Sequence, residues 1–307
     1  MTYYIPLGGR NGSEPPPSGG GQASVNEAPL VSGATPPANA GGSDPKPRAN
    51  AGEANLQTRL EAMLIDRMRT APTIGQRVTY YRAFLNIVTT EKGRGVLKEM
   101  LKNTGGNPSG SEGVSSIAKN TLPTGRVSAF VANIPLKTKD KFDIVTKLAI
   151  LGDPDAAKLL ADLEKTETSD DAKRYAYAAK AAFPTKDTKE KFWNDFISNK
   201  DISESWIEAA MNPFNSPKHA DLTIPYLERA LAELPNLKRN RKIFFVNGWL
   251  GAFIGGQKSQ QALDIVNKFL ADNLNLDRDL RLKILENVDV IERAVKIRAK
   301  YGQNRLR

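Results

Sequence analysis

TKDKFDIVTKLAILGDPDAAKLLADLEK, residues Thr138–Lys165, decides how this chain folds. Its first half reads as a helix stopped at Gly152, the residue type that most readily takes the left-handed conformation in which helices end. Its second half opens with Asp153 as N-cap and Pro154 at the first helical position, where a missing backbone N–H leaves no intrahelical bond unmade. Two helices joined by so tight a turn fold back on one another.

The same punctuation continues to the C-terminal end. TSDDAKRYAYAAKAAF is expected to end before Pro184, TKDTKEKFWNDFIS to begin after it, and SESWIEAAM to end before Pro213. TIPYLERALAEL, SQQALDIVNKFLADN with Ser259 as cap, and DRDLRLKILENVDVIERAVKIRAKY with Asp277 as cap follow as helices. Upstream, LQTRLEAMLIDRM sets Leu56, Leu60, Met63, Leu64 and Met68 at three-and-four spacing, the stripe of an amphipathic helix. Helices are also expected in TIGQRVTYYRAFLNIV after Pro72 and RGVLKEMLKN after Gly93. RVSAFVANIPL leaves room for a brief strand. No strand pattern of any length separates the helices, and no sequence signature recurs at a fixed period. The expectation is an all-α fold, an α-solenoid of antiparallel helix pairs resembling a HEAT or armadillo superhelix.

RKIFFVNGWLGAFIGGQKSQQALDIVNKFL, Arg241–Leu270, carries the most apolar helix. Apolar residues on nearly every side place it in the inner layer of the stack, covered on more than one side. Gly248 is then expected to admit a neighbouring helix, and Asn247 to need a hydrogen-bond partner inside.

Residues 1–53 are Gly-, Pro-, Ser- and Ala-rich with hardly an apolar anchor, and read as a disordered tail before a helical domain over 54–307. MTYYIPL at the start reads equally as a short docking segment or as a fragment scar, and TGGNPSGSEG falls in a loop-like insertion at about 104–125.

Forty-four Lys and Arg against 34 Asp and Glu give a net charge of +10, which admits acidic partners without choosing one. Mixed-sign faces such as TKDTKEK disfavour nucleic acid. MTYYIPLGGRNG does not read as a secretory signal, and the longest apolar stretch, Ile243 to Ile254, is shorter than the roughly 20 residues of a membrane-spanning helix. A soluble, cytoplasmic chain is expected.

Chemistry is sparse. With no cysteine and only His219, the chain has neither a thiolate metal site nor the two imidazoles of an H-E-x-x-H zinc motif, and no serine–histidine or cysteine–histidine nucleophile pair is supported. His219, in NSPKHADLT, reads as a solvated loop residue. GAFIGGQKS has glycines but not phosphate-loop spacing, and reads as a helix end and turn. Trp193, Trp206, Trp249, Tyr80 and Tyr81 read as core. The one cluster singled out is LKRNRK, where Lys238, Arg239, Arg241 and Lys242 crowd what reads as a helix start, against the macrodipole. It is either a solvated edge or a contact for a carboxylate or an acidic surface.

RVTYYRAFLNIV, DKFDIVTKLAILGDPDAAKLLADL, AFPTKDTKEKFWNDF and above all MNPFNSPKHADLTIPYLERAL followed by KIFFVNGWLGAFIGG resemble the C-terminal helical domain of the aminopeptidase N and puromycin-sensitive aminopeptidase family of zinc exopeptidases. The resemblance covers about Asn55 to Tyr301. It implies a bowl of helix pairs over a catalytic domain, restricting entry and helping to hold the far part of a peptide. The partners it implies are that catalytic domain or a peptide substrate. It also implies that zinc and the catalytic residues belong to domains outside this sequence, so no cofactor is expected here. The alternative is a free-standing helical scaffold that binds an acidic protein segment or nucleic acid.

Overall fold

In the Thr138–Lys165 hairpin, Gly152 takes φ +68°; its N–H donates to the Ala149 carbonyl and the Asp153 N–H to the Leu148 carbonyl, each at 3.0 Å. These two bonds satisfy carbonyls that the helix end would otherwise leave open, as a Schellman motif does. The Asp153 carboxylate then accepts the Asp155 N–H at 3.1 Å, and regular helix resumes at Ala156, two residues later than the Asp153 cap implies. The same carboxylate, buried, meets Arg94 Nε and Lys98 Nζ at 3.2 Å each, so it also ties the turn to an earlier helix.

The computed structural model describes residues 51–103 and 134–301, with side chains over 56–102 and 134–301. All belong to one compact unit, Asn50–Arg307. Of the tail expected over 1–53, residues 51–53 belong to a helix instead, and the rest, with the MTYYIPL segment, the 104–125 insertion and most of RVSAFVANIPL, lies outside the described residues; Ile134–Leu136 form no regular element. The described residues hold thirteen α-helices, one 3-10 turn at Pro217–His219, and no strand. The helices are α1 (Ala51–Thr70), α2 (Ile74–Ile87), α3 (Glu91–Asn103), α4 (Thr138–Ile150), α5 (Ala156–Thr166), α6 (Asp170–Ala181) and α7 (Lys186–Ser198). They continue with α8 (Glu204–Phe214), α9 (Ala220–Ala232), α10 (Leu234–Asn240), α11 (Ile243–Phe253), α12 (Gln260–Asp272) and α13 (Arg278–Tyr301). The protein is all-α.

α4, α6, α8, α11 and α13 pack successively on one another, while α7, α9 and α12 form a second row behind them. This is the packing order of stacked helix pairs. Side-chain caps set four of the helix starts: the hydroxyls of Thr73, Ser169, Thr185 and Ser259 each accept a backbone N–H of the following first turn. Between the rows, Trp193, Phe214, Tyr226, Trp249 and Phe253 form one aromatic cluster, closest at 4.3 Å between the Trp249 and Phe253 ring centroids. The Trp249 indole N–H donates to the Ala230 carbonyl at 3.0 Å, so its polar end is satisfied inside. Trp206 is half-buried; Tyr81 is core and its hydroxyl reaches the Asp140 carbonyl at 3.2 Å.

Four expectations are corrected. α11 is not covered all round: Phe244, Asn247, Gly248 and Gly251 form an exposed face, with Phe244 79% exposed, so Asn247 faces solvent and Gly248 admits no neighbouring backbone. α11 has helices of its own row on two sides and α9 and α10 behind, and its fourth side is open. In α1 the buried stripe is Glu61, Leu64, Ile65 and Met68, which turns Leu56, Leu60 and Met63 outward. Pro213 lies inside α8 instead of following its end, and α9 starts at Ala220, three residues ahead of TIPYLERALAEL, which puts Pro225 well inside it. Asp221 and Pro225 are both exposed, so the carbonyl that Pro225 cannot serve opens toward water. Finally, ELPNLKRN holds a separate short helix, α10, pinned by buried Leu234 and Leu237.

Candidate functional site

The basic run straddles a helix junction. Lys238 and Arg239 occupy the last turn of α10, Arg241 is its C-cap in extended conformation, and Lys242 is the N-cap of α11. Lys238 and Arg239 thus stand at a helix C-terminus, where the macrodipole favours positive charge, rather than at the helix start that the sequence suggested.

The structure distributes the four cations unequally. Lys238 Nζ bonds to Asp277 and lies 3.9 Å from Asp279 Oδ2. Asp277 is the N-cap of α13 and also accepts the Asp279 and Leu280 N–H groups; the Lys238 bond first, then these amides, hold its carboxyl below the usual carboxylate range. Lys238 is therefore a clasp between α10 and α13. The Arg241 guanidinium lies over the Phe245 ring, 5.1 Å from its centroid, and shields the edge of the core. Arg239 and Lys242 are exposed and have no ion pair among the described residues.

Lys238 and Arg239 share a cavity of about 830 Å³ with Pro235, Asn273, Leu274 and Leu280. It runs on, through Pro235, Asp272 and Asn273, into a second hollow of about 570 Å³ lined by Glu228, Ile265, Lys268 and Phe269. The result is a groove between α9–α10 and α12, with apolar floor residues and charges of both signs. Arg241 and Lys242 do not line it. The groove is invisible in sequence because its far wall, the α12–α13 connector, lies more than thirty residues downstream.

His219 is another correction. It is half-buried, and its Nε2 lies 2.7 Å from the Ile150 carbonyl, the last residue of α4. The imidazole bridges the α8–α9 connector to a helix end 69 residues earlier. Among the described residues no three His, Cys, Asp or Glu side chains are placed to hold a metal. GAFIGGQKS is a helix end and turn; a Cβ at Gly256 would stand 2.4 Å from the Asn215 carbonyl oxygen, so the glycine lets the two connectors touch.

Besides Glu61, a second buried charge escaped the sequence reading. Lys189, within TKDTKEK, is only 1% exposed; its Nζ donates to the Ala181 carbonyl at 2.7 Å and lies 5.0 Å from the Phe214 ring centroid. Burial pushes its pKa down from 10.5 to about 8. The signal was present: Lys189, Phe192, Trp193 and Phe196 are spaced as one helix face.

A family model described as the ERAP1-like C-terminal domain matches residues 140–293, half of the chain and nearly all of the stack from α4 to α13. The chain belongs to this family. The ERAP1-like chain is also similar to aminopeptidase N of Streptomyces lividans, at 25% identity over 170 residues. That alignment covers 55% of this chain and 20% of the relative, so the chain spans about a fifth of the relative's length. The basic run and the groove lie within the ERAP1-like span, whereas α1–α3 and the last turns of α13 lie outside it. No described helix is long and apolar enough to cross a membrane.

Proposed function

We propose that this chain is the non-catalytic helical module of a zinc aminopeptidase, closing over the catalytic chamber and helping to hold the far part of a peptide. The observation that carries the reading is the ERAP1-like match over 140–293, which coincides with the two-row stack. In this reading zinc and the reacting groups reside in the part of a full-length aminopeptidase that the chain does not cover, and the chain itself takes no cofactor. The partner is that catalytic part, or a peptide lying in it. Arg239 and Lys242, exposed beside the groove and at the α11 start, supply cations for a carboxylate contact; Arg241 holds the edge between them. Nucleic acid does not enter the reading, since many lysines of the helix faces are paired within one or two turns, as in Lys191–Asp195 and Lys268–Asp272.

Two measurements test this. The purified chain, supplied with zinc and an aminoacyl nitroanilide, is expected to release no chromophore above buffer. Zinc-dependent release that survives removal of contaminants overturns the non-catalytic reading. In a retention assay against the part of the Streptomyces lividans relative that the chain does not cover, Arg239→Gln with Arg241→Gln is expected to weaken association about tenfold, a little over 1 kcal/mol. The melting temperature should stay nearly constant, because one guanidinium is exposed and the other caps a ring that remains buried. Unchanged association would remove the basic run from the contact.

A further inference from the structure

The last helix outruns the stack it belongs to. α13 has 24 residues against 11 in α11 and 13 in α12. Its last buried residue is Ile291, which leaves about three turns up to Tyr301 with no fully buried side chain. A helical segment of that length is marginal in water by itself. Here Arg293–Asp289 and Lys296–Glu292 pairs stiffen it, and the Arg298 guanidinium donates to the Lys258 carbonyl.

Along these turns Val290, Ala294, Ile297 and Tyr301 recur at intervals of four, three and four, which puts them in one line. Val290 is 41% exposed, Ile297 58% and Tyr301 59%. Single exposed apolar residues are ordinary, but a continuous row on a protruding helix is the form in which helix-in-groove partners dock. The row is bordered by Arg293, Arg298 and Lys300, with Glu292 the one carboxylate in the last ten residues of the helix.

We propose that this face of α13 docks an acidic amphipathic helix of a partner protein. Its apolar side chains would lie along Val290–Tyr301 and its carboxylates beside Arg293, Arg298 and Lys300. Charge decides against a second copy of the chain: laid antiparallel on the same row, Val290 meets Tyr301 and Ala294 meets Ile297, which sets Arg293 against Arg298. A parallel copy sets identical cations side by side. Ala294, Ile297 and Tyr301 fall beyond the 140–293 span, so the site is independent of the aminopeptidase reading.

The test uses the full chain and a dye-labelled synthetic helix of about three heptads, leucine at the a and d positions and glutamate at e and g, followed by fluorescence anisotropy. A twin with lysine for glutamate is the control. The acidic helix is expected to bind at about 50 mM salt and to lose tenfold or more of its affinity at about 500 mM, as contacts between exposed charges become screened. Ile297→Asp should weaken binding at least tenfold without changing the melting temperature or the helical circular dichroism. Arg298→Glu with Lys300→Glu should shift preference to the lysine twin. Equal binding of both helices, or undiminished binding by the Ile297→Asp chain, overturns the proposal. So does a concentration-dependent dimer in sedimentation equilibrium that Ile297→Asp dissociates, since the face would then belong to a second copy.

Discussion

Replacing Lys189 by Met separates the cost of a buried charge from the value of its hydrogen bond, and pH tells the two apart. The ammonium is buried and faces the Phe214 ring, with a backbone carbonyl rather than a carboxylate as its partner. Its fall from 10.5 to about 8 amounts to roughly 3 kcal/mol of preference for the neutral form, at 1.36 kcal/mol per decade of proton affinity. Between those two values the unfolded chain keeps the proton and the folded chain releases it, so stability rises with pH across that window. Below about pH 8 both states are charged, and the folded state carries the whole penalty. Methionine fits a similar volume without charge but leaves the Ala181 carbonyl, the end of α6, without its donor, at a cost of about 1–2 kcal/mol. The net expectation is that Lys189→Met stabilises the protein by about 1–2 kcal/mol at pH 7, and that the advantage shrinks and reverses as pH climbs from 8 to 10.5. Urea denaturation of both proteins at half-unit pH steps reads this directly. A difference in unfolding free energy that stays constant from pH 7 to 10.5 refutes the reasoning, because the lysine would then titrate alike in the folded and unfolded chains.

Trp249→Ala should destabilise by about 3–5 kcal/mol in the same assay, since it empties the centre of the aromatic cluster and frees the Ala230 carbonyl; a loss under 1 kcal/mol would mean that the cluster collapses onto the gap. Glu61→Ala removes the acceptor of the Thr89 and Thr90 N–H groups at 2.8 and 3.2 Å and should cost at least about 2 kcal/mol at pH 7. Burial alone would raise the Glu61 pKa, but the Gln57, Thr90 and Thr89 hydrogen bonds outweigh it and leave the carboxyl below its ordinary 4.5. Its contribution is therefore complete above about pH 4.5 and lost as pH falls through the lower folded value, so the gap between the two proteins should narrow in acid. A gap that widens there would reverse the assigned direction.

The punctuation of the helices was legible because it is local chemistry. Gly152, the Ser259 hydroxyl and the Asp277 carboxylate act within four residues of themselves, and each behaves in the structure as its residue type requires. The faces were less legible. In α1 and α7 an ionisable residue, Glu61 or Lys189, sits in line with apolar residues on the buried stripe. Reading hydrophobicity alone rotates α1 so that Leu56, Leu60 and Met63 point inward, and takes Lys189 for a solvated charge. What overrides hydrophobicity at both positions is backbone supply: an open helix start at Thr89–Thr90 needs an acceptor, and an open helix end at Ala181 needs a donor.

The basic run went wrong for a related reason, and the error bears on function. Read as one approach to a long apolar helix, Lys238, Arg239, Arg241 and Lys242 form a single positive edge opposed to the dipole. α10 interrupts that reading, since Leu234 and Leu237 are buried and pull seven residues into a helix of their own. Two of the four cations thereby move to a helix C-terminus, one of them closing on Asp277 from a connector nearly forty residues downstream. The local cost assigned to the run disappears, and with it the inference that function must explain the charge. What remains is narrower: an exposed Arg239 over an open cavity, an exposed Lys242, and a clasp whose release would loosen α13 from α10. A contact in this region is therefore expected to depend on Arg239 far more than on Lys238. Substitution of Lys238 should register first in the stability of the α10–α13 junction.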